Sequence, residues 1–221
     1  MGRRALRKLN PHIDLSRHLR ELSTLLPTDP TQVPERLDPH AFFAQRQPLE
    51  IEMGSGKGLF LVNAVRSHPE RNYLGVELAR HYAAYCAARL ARLEVPNGFM
   101  ISGDGLRFFH ELLPDACAAA VHVYFPDPWW KKRHHKRRVM NEPFVRDIER
   151  VLQPSGSLHF WTDVQDYFET ALPILAEHTT LVGPLPVAEQ TPEHDMDYRT
   201  NFERRKRQDD LPIYRSEFRK V

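Results

Sequence analysis

The stretch Tyr124–Arg138, YFPDPWWKKRHHKRR, sets one carboxylate, Asp127, between two prolines, follows it with Trp129 and Trp130, and then adds six Lys or Arg side chains. Pro126 and Pro128 fix φ on both sides of the acid, so the carboxylate is presented rigidly. A rigid acid beside an aromatic pair and a dense positive field suits chemistry on a flat base carried by a polyanion. The tryptophans either stack on such a base or fill the space beneath the loop, and the sequence leaves both readings open. The basic run taken alone reads as a solvated charge cluster or a localisation signal. Attached to a site loop, it makes a field for polyphosphate, and RNA is the obvious polyanion. His134 and His135 lie among cations and form a poor ligand set, so no metal is expected.

A second constellation lies upstream. EMGSGKG places Gly54, Gly56 and Gly58 directly after a strand-like run, an arrangement that lets a ligand approach bare backbone at a helix N-terminus. The third glycine comes one place too early for the G-x-G-x-x-G of dinucleotide sites, and Lys57 between glycines does not match the G-K-[ST] of a phosphate loop. Glu52, just ahead of the loop, would repel a pyrophosphate and attract an ammonium or sulfonium group. Glu77 ends the next strand-like run, 23 residues after Gly54, close to the offset of about 20 at which an acid meets ribose hydroxyls. Asp104 follows the third run. Three acids in register with tight glycines suit a nucleoside bearing a cationic amino-acid tail, namely S-adenosyl-L-methionine. The plainer alternative is a glycine turn with solvated acids at the strand ends.

The elements that must position these residues follow from the periodicity. Short apolar runs at 49–53, 73–76, 98–102, 119–125 and 157–162 read as strands, alternating with helical stretches. In 80–94, Tyr82, Cys86, Leu90 and Leu93 share a helical face. Residues 141–152 carry the stripe Phe144, Ile148, Val151 and Leu152, with Asn141 as cap and Pro154 and Gly156 as terminators. Another helix begins near Asp163, where Pro173 is expected to kink or shorten it. A short strand after residue 179, a polar loop at 188–201 and a last strand at 213–219 complete the chain. Repeated βα units predict an α/β fold with a doubly wound, mostly parallel sheet, whose ligands sit beyond the carboxyl ends of the strands at the switch in strand order.

Residues 1–47 read as a basic, Pro-rich N-terminal arm, since Pro27, Pro30, Pro34 and Pro39 leave little room for regular structure. Residues 48–221 read as one domain. The 221 residues, 41% of them apolar, supply one sizeable core. The net charge of +2 is small, so the electrostatic message lies in its distribution. Six Lys or Arg stand against one acid in the first twenty residues, and Arg204–Arg207 are four consecutive cations. Two cysteines, Cys86 and Cys117, are too few for a disulfide framework or a cysteine zinc site and read as core thiols in a reducing cytosol. No apolar run approaches the 18–20 residues of a membrane span, and no secretory or myristoylation signal opens the chain. The expectation is a soluble, cytoplasmic protein with no membrane partner, although an Arg-rich start also resembles an organelle transit peptide.

From Leu49 onward the chain resembles the bacterial-type tRNA (guanine-N7-)-methyltransferases. The likeness is carried by EMGSGKG, VEL with Glu77, GD with Asp104, FPDPWWKKRHHKRR, TD with Asp163, and TNFE at 200–203. The F-P-D-P-W signature with its basic tail is specific to that family; the glycine loop is shared by many methyltransferases. The resemblance implies a Rossmann-like class I methyltransferase domain and methyl transfer from S-adenosyl-L-methionine to guanine N7 in the tRNA variable loop. It implies that Glu52, Glu77 and Asp104 contact the methyl donor beside Gly54 and Gly56, and that Asp127 serves both donor and catalysis. Lys131, Asp163, Thr200, Asn201, Phe202 and Glu203 would hold the target nucleotide. Trp130 stands where the family usually has Pro or His, and Arg204–Arg207 replace the glycines often found there.

Guanine N7 offers an in-plane lone pair and carries no proton, so attack requires no general base. Alignment and electrostatics should dominate, with Asp127 orienting the base or stabilising charge as it develops. Other readings stay open: a methyltransferase for another RNA or a small molecule, and a non-catalytic RNA-binding protein on a methyltransferase-like scaffold.

Overall fold

The computed structural model describes residues 12–29, 31–187, 203 and 212–221. Its strands are β1 (Leu19–Glu21), β2 (Leu49–Met53), β3 (Asn72–Glu77), β4 (Gly98–Ser102), β5 (Ala118–Tyr124), β6 (Leu152–Thr162), β7 (Val182–Leu185) and β8 (Tyr214–Arg219). They form one sheet in the order β1-β4-β3-β2-β5-β6-β8-β7. Strands β1 to β6 pair in parallel, and β8 joins β6 and β7 antiparallel. The helices are α1 (Leu59–Ser67), α2 (Arg80–Leu93), α3 (Gly105–Arg107), α4 (Glu142–Val151) and α5 (Gln165–His178), with α3 running into a π turn at Phe108–Leu112.

Parallel strands need cover on both faces, and the side chains divide accordingly. Ile51, Leu74, Val121, Val123, Leu158 and Phe160 point to one side, against Phe108, Phe144, Ile148, Val151 and Tyr167. On the other side Phe60, Leu61 and Val65 of α1, with Cys86 and Leu90 of α2, pack on Tyr73, Met100, Tyr124 and Trp161. Strand β2 has β3 on one side and β5 on the other. The chain therefore winds outward through β3 and β4 before returning to β5, which puts the switch point at the carboxyl ends of β2 and β5.

All five strands expected from the core of the sequence are present, and β6 begins earlier than expected, at Leu152. Asn141 caps α4 by accepting from the Phe144 amide at 3.1 Å. Helix α5 continues through Pro173 to His178 rather than stopping. Pro173 and residue 169, whose carbonyl loses its amide partner, are both on the exposed side, where water can take the place of the missing bond. In α2 the buried stripe is Ala83, Cys86, Ala87 and Leu90, while Leu93 is 37% exposed. Cys86 is fully buried and Cys117 only half-buried.

The segment expected to lack regular structure supplies an edge strand. β1 lies between Pro11 and the cluster that starts at Pro27, and it pairs with β4 from Leu19↔Met100 to Glu21↔Ser102. Farther on, Phe42 stacks on Phe99 with centroids 4.7 Å apart and Phe43 meets the same ring edge-on. Among the described residues no helix is long and apolar enough to cross a membrane.

Candidate active site

The glycine loop leaves β2 with three left-handed residues, Gly54 (φ 81°), Gly56 (φ 53°) and Gly58 (φ 68°). Side chains are strained at such φ, which accounts for glycine at each position. Space separates their roles. A β-carbon at Gly54 or Gly56 would meet nothing within 4 Å, whereas one at Gly58 would lie 2.0 Å from Cys86 Sγ. The first two glycines thus present bare backbone to open space, and the third lets α2 approach. Arg89 of α2 completes the packing by donating to the Lys57 and Gly58 carbonyls at 2.9 and 3.2 Å.

Each expected acid sits where a strand of the sheet ends. Glu77, at the end of β3, accepts from the Gly56 amide through Oε2 and from the Ala79 amide through Oε1, both at 2.8 Å. It thereby ties the loop to the neighbouring strand. Glu52, near the end of β2, is 3% exposed, and its Oε2 has no hydrogen-bond partner among the described residues. Burial, reinforced by the charge of Glu77 and only partly offset by Ser55, pushes its carboxyl up to about 8. A cationic ligand would relieve both deficits, supplying a donor and a counter-charge. Asp104, exposed after β4, caps α3 through Oδ1, accepting from the Leu106 and Arg107 amides at 2.9 and 3.4 Å.

Beyond β5, the adjacent strand, comes the Pro-Asp-Pro turn. The Phe125 amide donates to the Trp161 carbonyl of β6 at 2.8 Å. Phe125 and Trp129 adopt left-handed φ of 48° and 49°. Left-handed backbone at two bulky residues flanking an exposed Asp127 is the concentrated strain found at functional turns. Trp129 is partly covered, with Arg137 over its ring at 4.9 Å; Trp130 is 73% exposed. Lys131 is exposed and precedes a short 3-10 turn, Lys132–Arg137. Asp163 follows β6, and Val164 separates it from α5. Asp104, Glu77, Glu52, Asp127 and Asp163 thus occupy the carboxyl ends of five neighbouring parallel strands, β4-β3-β2-β5-β6. Glu203 is buried, at 3% exposure; Thr200, Asn201 and Phe202 lie outside the described residues.

Known proteins resemble this chain along most of its length. A family model described as "Putative methyltransferase" matches residues 46–216. The tRNA (guanine-N(7)-)-methyltransferase of Rhodopirellula baltica is 45% identical over all of this chain and 80% of its own length. The enzyme of the same name from Thiobacillus denitrificans is 38% identical over 78% of this chain and 75% of its own.

The chain belongs to the tRNA (guanine-N(7)-)-methyltransferase family.

Among solved structures, the aminoglycoside resistance methyltransferase NpmB1 superposes with a TM-score of 0.55 at 15% identity, covering 80% of this chain and 89% of that one. Methyltransferase Kmr gives 0.54, also at 15% identity, over 80% and 89%. These likenesses establish the class I methyltransferase fold of this family member.

Three features of the site escaped the sequence reading. Arg138, counted with the free cations, is 6% exposed and faces inward. Arg89 fastens the glycine loop; an arginine beside Cys86 and Leu90 on an otherwise apolar helical face was its signal. Two residues before Glu52 a polar chain runs inward from the half-exposed Arg71: Arg71 donates to Glu50 Oε1 at 2.6 Å, Glu50 Oε2 meets His122 Nε2 at 2.8 Å, and His122 Nδ1 meets the Tyr124 hydroxyl at 2.9 Å. In the sequence these residues look like strand polarity without a partner, because the partners come from three different strands or their flanks.

Proposed function

We propose that this protein transfers a methyl group from S-adenosyl-L-methionine to N7 of a guanine in the variable loop of tRNA. The observation that carries the reading is the placement of Glu52 and the open Gly54–Gly56 backbone at the end of β2, directly beside the Asp127 turn at the end of β5. On this reading the donor-binding residues and the base-docking acid stand at the ends of adjacent strands, β2 and β5, the position where doubly wound sheets bind ligands.

The residues fit the methyl donor. Glu52 would hold its ammonium group, Glu77 its ribose hydroxyls and Asp104 the nucleoside end, with Gly54 and Gly56 against its backbone-facing side. Its sulfonium centre supplies an electrophilic methyl group. On the acceptor side, N7 needs no deprotonation, so Asp127 acts by orienting the base through its N–H edge and by stabilising the cationic purine as charge develops. Alignment of this kind accounts for about 7–11 kcal/mol of barrier lowering in well-oriented systems. Lys131 and Asp163 flank that turn and would hold the target nucleotide, together with Thr200, Asn201, Phe202 and Glu203. The exposed Lys132, Arg133, Lys136 and Arg137 form a cationic face for the tRNA backbone.

Incubating the protein with S-adenosyl-L-methionine and total tRNA, then mapping modified nucleotides, tests this directly. N7-methylguanine confined to the variable loop is expected. Methylation at another nucleotide would reassign the substrate, and tRNA binding with no methylation would make the protein a binding module.

A further inference from the structure

We propose that Arg138 is a positioning residue for Asp127, a clasp that fastens the Pro-Asp-Pro turn to α5 rather than a contact for RNA. The proposal rests on the function proposed above and identifies what holds its central acid in place.

Five of the six cations in the basic run, Lys131, Lys132, Arg133, Lys136 and Arg137, are exposed. Arg138 differs from them in being buried, at 6% exposure, with its guanidinium hydrogen-bonded through all three nitrogens. Its Nε donates to the Pro128 carbonyl at 2.8 Å, its Nη1 to the Thr170 hydroxyl at 3.0 Å, and its Nη2 to Asp166 Oδ2 at 2.6 Å and His135 Nε2 at 3.2 Å. The guanidinium also lies over the Tyr167 ring at 4.6 Å. A buried, satisfied fork of this kind has little left to offer a phosphate.

The geometry bears on Asp127 because that residue is strung between two anchors. On one side the Phe125 amide is bonded to Trp161 of β6; on the other the Pro128 carbonyl is bonded to Arg138. Between them the two proline rings remove φ freedom, so few soft torsions remain through which the carboxylate can drift. Asp166 and Thr170 lie in the first two turns of α5, and Asp163 stands two residues before that helix. One guanidinium therefore sets the relation between two acids from different strands. A second fastening backs it: the Met140 amide donates to the Tyr167 hydroxyl at 3.1 Å, and Asn141 Nδ2 donates to the Arg138 carbonyl at 3.1 Å. The exposed cationic turn is thus held at both of its ends.

The test uses Arg138→Lys, which keeps the charge and loses the fork, and Asp166→Ala, an exposed truncation that removes one arm of the clasp. For Arg138→Lys, kcat on tRNA should fall about 100-fold, the scale of a displacement near 1 Å at a reacting group. KM for tRNA and the salt dependence of tRNA binding should stay parental, whereas a residue that neutralised a phosphate would lower the salt slope by about one when replaced. Amide exchange over 125–141 should accelerate, with α1 and α2 unchanged. Asp166→Ala should give a smaller kcat loss, and the double variant should be no worse than Arg138→Lys, because both cut the same clasp. Parental kcat and exchange in Arg138→Lys, a slope reduced by one, or additive losses would each overturn the proposal. Should Arg138→Lys fail to fold, parental kcat and exchange in Asp166→Ala would overturn it alone. A parent protein that methylates no guanine defeats the functional reading instead, a result visible before any variant is compared.

Discussion

Glu50 and Glu52 lie on the same face of β2, both buried, with their carboxyls displaced in opposite directions. Burial would raise Glu50, but the His122 hydrogen bond and charge, joined by Arg71, outweigh it and lower the group to about 2. Glu52 has burial and the nearby Glu77 charge with little to oppose them, and rises to about 8. One strand thus carries an acid ionised throughout the neutral range beside a candidate site acid that is protonated at neutral pH.

The two acids give opposite pH signatures. Glu50 contributes stability that is present above its ordinary value of 4.5 and is lost as pH falls toward 2. Glu52 leaves the fold most stable below 4.5 and weakens it as pH rises toward 8, by an amount on the order of 4 kcal/mol. Glu52→Gln should therefore raise the thermal midpoint of the ligand-free protein at pH 8 and leave it unchanged at pH 4. Glu50→Gln should lower it at pH 7 through an uncompensated His122 and Arg71, with the deficit shrinking below pH 4.5. Binding of S-adenosyl-L-methionine at pH 7 should release close to one proton, read by calorimetry in buffers of different ionisation enthalpy; Glu52→Gln should abolish that release.

Asp127→Ala should remove turnover while tRNA affinity stays within about threefold of the parent, since the acid is held to act on the reacting base and not on the backbone. Single-turnover kinetics beside a filter-binding titration separates the two quantities. Near-parental turnover would remove Asp127 from the chemistry.

Alanine at Lys132, Arg133, Lys136 or Arg137 should weaken tRNA binding and reduce the slope of log affinity against log salt by about one for each phosphate left without its cation. Turnover at saturating tRNA should change little. A slope that stays constant through all four substitutions would place the RNA elsewhere on the molecule.

Gly58→Ala and Gly56→Ala separate packing from ligand approach. The first forces a β-carbon into Cys86 at left-handed φ and should cost about 3 kcal/mol or more of stability. The second meets open space and should cost about 1 kcal/mol, with its main effect on donor affinity. Chemical denaturation with and without S-adenosyl-L-methionine distinguishes them.

The sequence exposed the strands, the switch point and the strand-end acids because each is local: an apolar run, a glycine turn, a carboxylate just after it. Gly54 and Gly58 look alike in sequence, and only the approach of α2 separates a glycine beside open space from a packing one. Arg138 was illegible for the same reason. Its partners, Asp166, Tyr167 and Thr170, come from a helix beyond an intervening strand, and nothing in a run of cations marks the one that turns inward. The protonation of Glu52 likewise depends on burial beneath a loop, which periodicity does not measure.

The short edge strand at Leu19–Glu21 turns the opening segment into part of the hydrogen-bonded framework. A version of the protein beginning at residue 48 would strip the outer rim from β4 and uncover the Phe99 ring that Phe42 shields. Such a truncated chain would carry the whole candidate site and still present an adhesive flank to its neighbours. Its failure would come as self-association, before any defect in methyl transfer could be measured.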